Sequence, residues 1–267
     1  MTLDILVCTY NEGIERVPLI LLPYRNDVRY VVSFQYAADE YLEKIPAVLR
    51  ERTDVVLALL PGMGLAANRN HALSMATGDI ALFADDDVRY KDCFFDDVQR
   101  IFEQDPTLDV ACFKALKPDG TPLHYYCDYS FAYKDAPYGV FFSSCEIAFR
   151  PSERIPRFDE RFGKGAPELM CGEEEVFLYE SFRRGLNVRY HPVPVVMTDG
   201  NTTGTRFMQE VKVQRSKGAV LYVIHGFWGA LARITKYAVW HVGKHRVRIW
   251  MQMWRGIRYV QTTKRRS

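Results

Sequence analysis

The stretch Ile80-Ala-Leu-Phe-Ala-Asp85-Asp86-Asp87-Val88 decides how this chain is read: five apolar residues run without a break into three carboxylates. A continuous apolar run of that length suits a strand buried on both faces, as in a parallel sheet covered by helices. In such sheets ligands collect at the carboxyl ends of the strands. Residues i and i+2 of an extended chain share a face, so Asp85 and Asp87 converge while Asp86 points elsewhere. Two carboxylates that close repel unless a cation lies between them, and hard oxygen donors suit Mg²⁺ or Mn²⁺. A divalent ion there would hold a diphosphate. An isolated acidic triplet would be a solvated turn; its place at a strand end favours the site.

Working outward, the same alternation recurs. Leu3 to Cys8, Val28 to Phe34 and Val55 to Leu60 read as further strands, with helical stretches at about 13–25, 38–52 and 65–76 between them. The pattern predicts an α/β fold with a mainly parallel central sheet. Beyond the fourth strand come an amphipathic stretch at 92–104, a Pro/Gly/Tyr-rich segment at 117–139 and an apolar run from Val140 to Phe149. A helix is expected from Glu173 to Arg184, closed by Gly185, and a further strand at Val193 to Met197.

Two more clusters carry chemistry. Gly64-Leu-Ala-Ala-Asn-Arg69-Asn70 opens the helix that leads through Gly78 into the acidic strand. An arginine on a helix's first turns presents a planar donor fork to a phosphate or a base, although alone it would be an ordinary surface arginine. Cys171-Gly172-Glu173-Glu174-Glu175 places three glutamates at a helix N-terminus. The macrodipole favours acids there, and a glutamate beside apolar Val176 and Phe177 equally suits a general base. Spacing leaves both readings open. His71, His124 and His191 show no ligand spacing and read as packing or surface residues.

Composition bounds the rest. At 267 residues and 48% hydrophobic content the chain is long enough for one full core and a small appendage. Six cysteines lack CxxC or CxxH spacing, so neither disulfides nor a zinc site is expected, and no secretory leader is read at the start. The net charge of +2 conceals a polarised chain: residues 212–267 hold thirteen Lys or Arg, all four tryptophans and no acid. Residues 1–211 keep all 33 acids against 22 bases. Two segments follow, a catalytic domain at 1–211 and a basic helical extension at 212–267. Residues 218–232 lack charge but fall short of the ~20 apolar residues that span a bilayer. Val247, Trp250, Met251, Trp254 and Ile257 follow helical spacing as one apolar face, with Arg248, Gln252 and Arg255 on another. Such a helix suits an anionic membrane surface, with packing on the catalytic domain and phosphate tracking on nucleic acid as the other readings. Nucleic acid is not the expected partner.

Together the motifs resemble the bacterial family 2 glycosyltransferases of the GT-A fold, a Rossmann-like nucleotide-diphospho-sugar fold, over roughly residues 3–204. Thr9-Tyr10-Asn11-Glu12 looks like the family's first nucleotide-binding loop, and Gly64 to Asn70 looks like its Gly-Leu-Ser-x-Ala-Arg-Asn segment. Asp85-Asp86-Asp87 stands where the Asp-x-Asp motif does, with Asp87 as the implied direct metal ligand, and Glu173-Glu174 matches the Glu-Asp pair whose second member is the base. The resemblance thus implies Thr9, Tyr10, Asn11, Glu12, Gln35, Arg69, Asn70, Asp85 and Asp86 at the donor, Asp85, Asp87 and Asp199 as metal ligands, and Glu174 or Glu173 as catalytic acid-base residue. Three departures matter. Ser33-Phe34-Gln35-Tyr36 replaces an Asp-Asp-Gly-Ser run, the second acid is Glu and leaves Glu173 and Glu175 as rivals, and Asp199-Gly-Asn-Thr-Thr-Gly204 lies where relatives often place a metal-binding histidine. Asp199 is a ligand or the start of an Asp-Gly turn. The implied activity is inverting, metal-dependent transfer of a sugar from a nucleoside-diphosphate, UDP by preference, to a lipid-linked or glycan hydroxyl in envelope glycan assembly. It would take place in the cytoplasm, at the inner face of the membrane. The alternatives are a nucleotidyltransferase on a similar fold, for which Thr9 to Gly13 lacks the Gly-rich phosphate loop, and a non-catalytic basic-tailed binding protein.

Overall fold

A computed structural model describes residues 1–199, 206–241 and 245–265. The strands are β1 (Leu3–Tyr10), β2 (Val28–Tyr36), β3 (Val55–Pro61), β4 (Ile80–Asp85), β5 (Val110–Leu116), β6 (Phe131–Ala132), β7 (Ile147–Phe149) and β8 (Val188–Met197). The helices are α1 (Val48–Glu51), α2 (Leu65–Ser74), α3 (Asp92–Gln104), α4 (Glu173–Arg183), α5 (Val211–His241) and α6 (Arg246–Thr262). One eight-stranded sheet runs in the order β3-β2-β1-β4-β7-β5-β8-β6. The pairs β1–β2, β1–β4, β2–β3 and β5–β8 are parallel, while β7 and β6 run antiparallel to their neighbours. The fold is therefore α/β with a mainly parallel sheet, as the alternation predicts.

The first four strands fall where the apolar runs place them. Between β1 and β2, and again after β2, the expected helices are shorter: 3-10 turns at Asn11–Leu19 and Asp39–Lys44, then the single turn α1. Pro18 lies inside the first of these and withholds a backbone donor. Chain contacts divide the molecule into two units, one of residues 1–63, 67–156 and 180–200, the other of 64–66, 157–179 and the segment from 201 on. In the first, Asp4 is the one acid within β1; it is buried, accepts both arms of Arg29 (2.9 and 2.6 Å) and the amides of Thr77 and Gly78 (2.7 and 2.8 Å). That satisfied carboxylate ties β1 and β2 to the turn that feeds β4.

In the second unit α5 and α6 form a hairpin that buries only Ile257 fully from the stripe expected to face a membrane. Ile249, Met253, Gly256, Ile257 and Val260 are buried against α5, whereas Val247 and Met251 are exposed. Glycines set the contact between the two helices. A Cβ on Gly218 would stand 2.0 Å from the Met253 carbonyl oxygen, and one on Gly256 1.9 Å from that of Arg215, so the two backbones touch at reciprocal glycines. Trp250 and Trp254 stack on each other at 5.7 Å on the flank, with Trp254 edge-on to Phe227 and the Trp250 indole N–H donating to Thr235 Oγ1 (3.1 Å). Arg161 finishes the hairpin: gripped by buried Asp159, it donates to the carbonyls of Val260 and Thr263 (2.9 and 2.7 Å) at the end of α6. Replacing Gly256 by alanine is expected to cost ~1–3 kcal/mol or more, because the methyl meets a backbone carbonyl that no rotamer change moves aside. Urea unfolding followed by tryptophan fluorescence measures it, and a midpoint equal to wild type contradicts the close crossing.

Candidate active site

The first unit brings three loops together at the carboxyl end of the sheet. β1 and β4 are adjacent in parallel register, with Cys8 opposite Asp85, so the residues leaving both strands share one rim. Each aspartate of the triplet has a different role there. Arg69, only 2% exposed, directs Nη2 at Asp85 Oδ1 (3.2 Å) and at Ser144 Oγ (2.6 Å). Asp86 turns the other way: it accepts from Thr9 Oγ1 (2.8 Å) and Arg16 Nη2 (2.5 Å). Gly13 makes room for it, since a Cβ there would lie 1.9 Å from Asp86 Oδ2. Asp87 is exposed. Loss of hydration, then the charges of Asp85 and Asp86, push its carboxyl above the usual aspartate range.

The residues expected at the donor thus separate into a scaffold and a surface. Thr9, Asn11, Gln35, Arg69 and Asn70 are buried. Asn11 sits at φ 47°, in the left-handed region that asparagine tolerates, and its Oδ1 accepts the Ala37 amide (2.9 Å), joining the exits of β1 and β2. Asn68 Nδ2 donates to the Thr9 carbonyl (2.9 Å). Arg69 therefore holds the acidic motif, contrary to the expectation that it reaches out to a phosphate: its guanidinium is already spent inside the fold. Tyr10 and Glu12 are exposed, and Lys44 lies 3.6 Å from Glu12. Ser144, Arg16 and Gly13 were not anticipated. The polar pair Ser143-Ser144 interrupts the apolar run 140–149, which was the available signal for the first of them.

The predicted metal set Asp85, Asp87 and Asp199 does not assemble. Among the described residues no three His, Cys, Asp or Glu side chains could hold an ion together, and Asp199 is exposed after β8, with Gly200 to Gly204 outside the described residues. The physical reason lies in Asp85 and Asp86, whose oxygens face arginines. What remains is one exposed, under-neutralised carboxylate. That donor set fits the way Mg²⁺ is commonly held, by one or two carboxylates together with substrate phosphates and water.

In the second unit the three glutamates open α4. Glu173 is 3% exposed and lies against Gly163, where φ is +101° and a Cβ would stand only 3.2 Å from the Glu173 carboxyl carbon. Glu174 and Glu175 are half-buried.

The sequence profile described as "Glycosyl transferase family 2" matches residues 4–131, the segment that carries β1 to β6 and the acidic triplet. That segment is a family 2 glycosyl transferase domain. A search among curated proteins finds no match. Among solved structures, this chain is similar to S. aureus TarS residues 1–349, at 16% identity and a TM-score of 0.59 over 97% of this chain and 80% of that one. The same protein in complex with UDP gives 14% identity and a TM-score of 0.57 over 96% and 81%. Its complex with UDP-GlcNAc gives 15% and 0.55 over 95% and 79%. At these identities the likeness concerns the fold, which is the GT-A fold.

Proposed function

We propose that this glycosyltransferase moves a sugar from a UDP-linked donor to a hydroxyl acceptor with inversion, in the assembly of an envelope glycan. The observation that carries the reading is the acidic motif at the end of β4, with Asp85 and Asp86 paired to Arg69 and Arg16 and Asp87 the exposed member of the three. The S. aureus TarS complexes with UDP and UDP-GlcNAc support the choice of nucleotide. Bound there, a Mn²⁺ or Mg²⁺ ion would supply positive charge to the departing diphosphate. Asp87 would hold it, and Arg69 and Ser144 fix the motif's backbone so that Asp87 does not rotate inward. On α4, Glu174 takes the proton of the acceptor hydroxyl as its oxygen bonds to the anomeric carbon and the bond from that carbon to the diphosphate oxygen breaks. Half-burial favours Glu174 over the enclosed Glu173. Thermal-shift measurements with a panel of nucleotide sugars, each with and without Mn²⁺, test the donor. UDP sugars should raise Tm only with the ion, and stabilisation by sugar phosphate and a nucleoside triphosphate instead would point to nucleotidyl transfer.

The catalytic segment 1–211 would work at the cytoplasmic face of an anionic membrane, held there by the extension 212–267. Among the described residues no helix is long and apolar enough to cross a bilayer. Trp228 (78% exposed), Val239, Val247 and Met251 stand among the exposed cations Arg233, Lys236, Arg246, Arg248, Arg255 and Arg258. With ~1 kcal/mol available per basic residue near an anionic surface, a few engaged charges and one inserted ring give reversible binding. Co-sedimentation with phosphatidylglycerol vesicles should fall with salt. Trp228→Ser with Val247→Ser, which alters no charge and no buried residue, should weaken it; wild-type binding by that variant reduces the extension to a polycation.

A further inference from the structure

Five of the sixteen tyrosines fall at 125, 126, 129, 133 and 138, in the connection from β5 to β7, and the donor chemistry uses none of them. The connection is built in two layers. The inner one is fixed. Phe131 and Phe142 pack on buried Tyr190 (4.7 and 5.3 Å between ring centres), whose hydroxyl donates to the Cys127 carbonyl (2.8 Å). His124 stacks between Tyr126 and Phe141 (4.1 and 4.2 Å). Beneath them the wholly buried Glu146 accepts from the Tyr126 hydroxyl, the Ala115 amide (3.1 Å) and the Ser143 amide (2.5 Å), with His124 Nε2 at 3.3 Å. A satisfied buried carboxylate of this kind makes a rigid floor.

The outer layer is open to solvent. Tyr125 is 66% exposed, Tyr129 60%, and Tyr138 and Phe141 are exposed as well. Single exposed apolar residues need no account, but four exposed aromatic rings within seventeen residues do, the more so because Tyr129 packs edge-on to Phe131 (6.2 Å) and the Tyr125 and Tyr129 side chains both lie beside Cys127. Their chemistry narrows the occupant. The segment 117–142 carries Lys117 and Lys134 against Asp119, Asp128 and Asp135, so it has no charge with which to attract a polyanion or an anionic bilayer. Three of the four rings bear a hydroxyl at the edge and an apolar face. A pyranose is the matching ligand: its axial C–H bonds, slightly positive, meet the negative ring face, while its equatorial hydroxyls reach the phenol edges. The same connection also reaches the acidic motif, since Ser144, three residues after Phe141 and capped through Ser143 and Glu146, is the residue that accepts from Arg69 beside Asp85.

We propose that this aromatic platform binds a saccharide chain as the acceptor, away from the reacting hydroxyl. The proposal rests on the sugar-transfer reading and deepens it: the acceptor is an oligosaccharide or polysaccharide that lies across Tyr125 and Tyr129, not a small alcohol. Native electrophoresis through gels containing laminarin, hydroxyethyl cellulose, dextran or yeast mannan tests it on the full chain. Wild type should be retarded by at least one of the four. Tyr125→Ser with Tyr129→Ser should weaken that retardation at least fivefold, and Tyr125→Phe with Tyr129→Phe should keep most of it, because the ring carries the contact. Far-ultraviolet circular dichroism and Tm establish that both variants fold. No retardation by any polymer overturns the proposal, as does equal retardation of the serine variant or loss in the phenylalanine one. A change of oligomeric state in the serine variant on gel filtration also overturns it, by making the rings a contact between copies. Calorimetry of UDP with Mn²⁺ on wild type separates the two readings. UDP binding without polysaccharide binding removes the platform and leaves the donor site; the reverse leaves a saccharide-binding surface and removes the donor assignment.

Discussion

Glu174→Gln is expected to lower kcat by ~10²-fold or more while leaving the affinity for the UDP donor nearly unchanged. Glutamine keeps the shape and can still accept a hydrogen bond, but its amide cannot take a proton at neutral pH, so the loss appears in the chemical step. The neighbours supply the controls. Glu173 is enclosed beneath Gly163, and its conversion to Gln should disturb Tm more than turnover. Glu175, on the same first turn of α4, should tolerate Gln with a much smaller loss. Rates of UDP release in the three variants decide the assignment. If Glu175→Gln proves the inactive one, the base is one residue further along the helix than the family register implies.

Asp87→Asn should weaken Mn²⁺-supported UDP binding by ~10²-fold or more and, at the same time, raise Tm. The two effects share one cause. Partial loss of hydration among its neighbours, and then the carboxylates of Asp85 and Asp86, raise the pKa of the exposed Asp87 in the folded protein above the ordinary value of about 3.9 that the unfolded chain has. A carboxyl whose folded pKa is raised is a burden on the fold when ionised, and stability recovers as pH falls through the folded value. At neutral pH the charge is therefore retained at a cost in stability, as functional sites often require. Asparagine removes the burden and the ligand together. The same shift means that Mn²⁺-supported UDP binding by wild type should fail on acidification sooner than an ordinary aspartate would predict. Calorimetry of UDP with Mn²⁺ across pH, with differential scanning calorimetry of the apo proteins, measures both. Wild-type affinity in the variant would remove Asp87 as a metal ligand, and a lowered Tm would contradict its strained charge.

These predictions draw on parts of the molecule that were unequally visible beforehand. Strands β1 to β4 were legible because each is an apolar run closed by polar residues, and period and length alone identify such strands. Strand β5, Val110–Leu116, was missed although it is wholly apolar but for Lys114, because the reading of that region was taken up by the amphipathic pattern of α3 beside it. The extension was read as helical with the stripe Val247, Trp250, Met251, Trp254 and Ile257 facing a membrane; Val247 and Met251 are exposed, whereas Ile257 is buried against α5. Two glycines, which carry no hydrophobic signal, let α5 and α6 meet backbone to backbone and so decided which face of α6 is covered.

Sequence by itself determined the strand order of carboxylates at β4, the glutamates opening α4 and the separation of charge along the chain, because each is a property of neighbouring residues. Only the tertiary structure decided what those groups face. Arg69 looked like a ligand-binding arginine and is instead the buried partner of Asp85; that Asp86 points away from Asp85 and Asp87 follows from strand geometry, but its partners Thr9 and Arg16, the latter seventy residues away, do not. The tyrosines of 125–138 follow no period, and the groups that hold their segment, Glu146 on Tyr126 and Tyr190 on Phe131, reach it from other strands and loops. A side chain's partners across the fold depend on how the strands and loops pack, and no local pattern of residues encodes that.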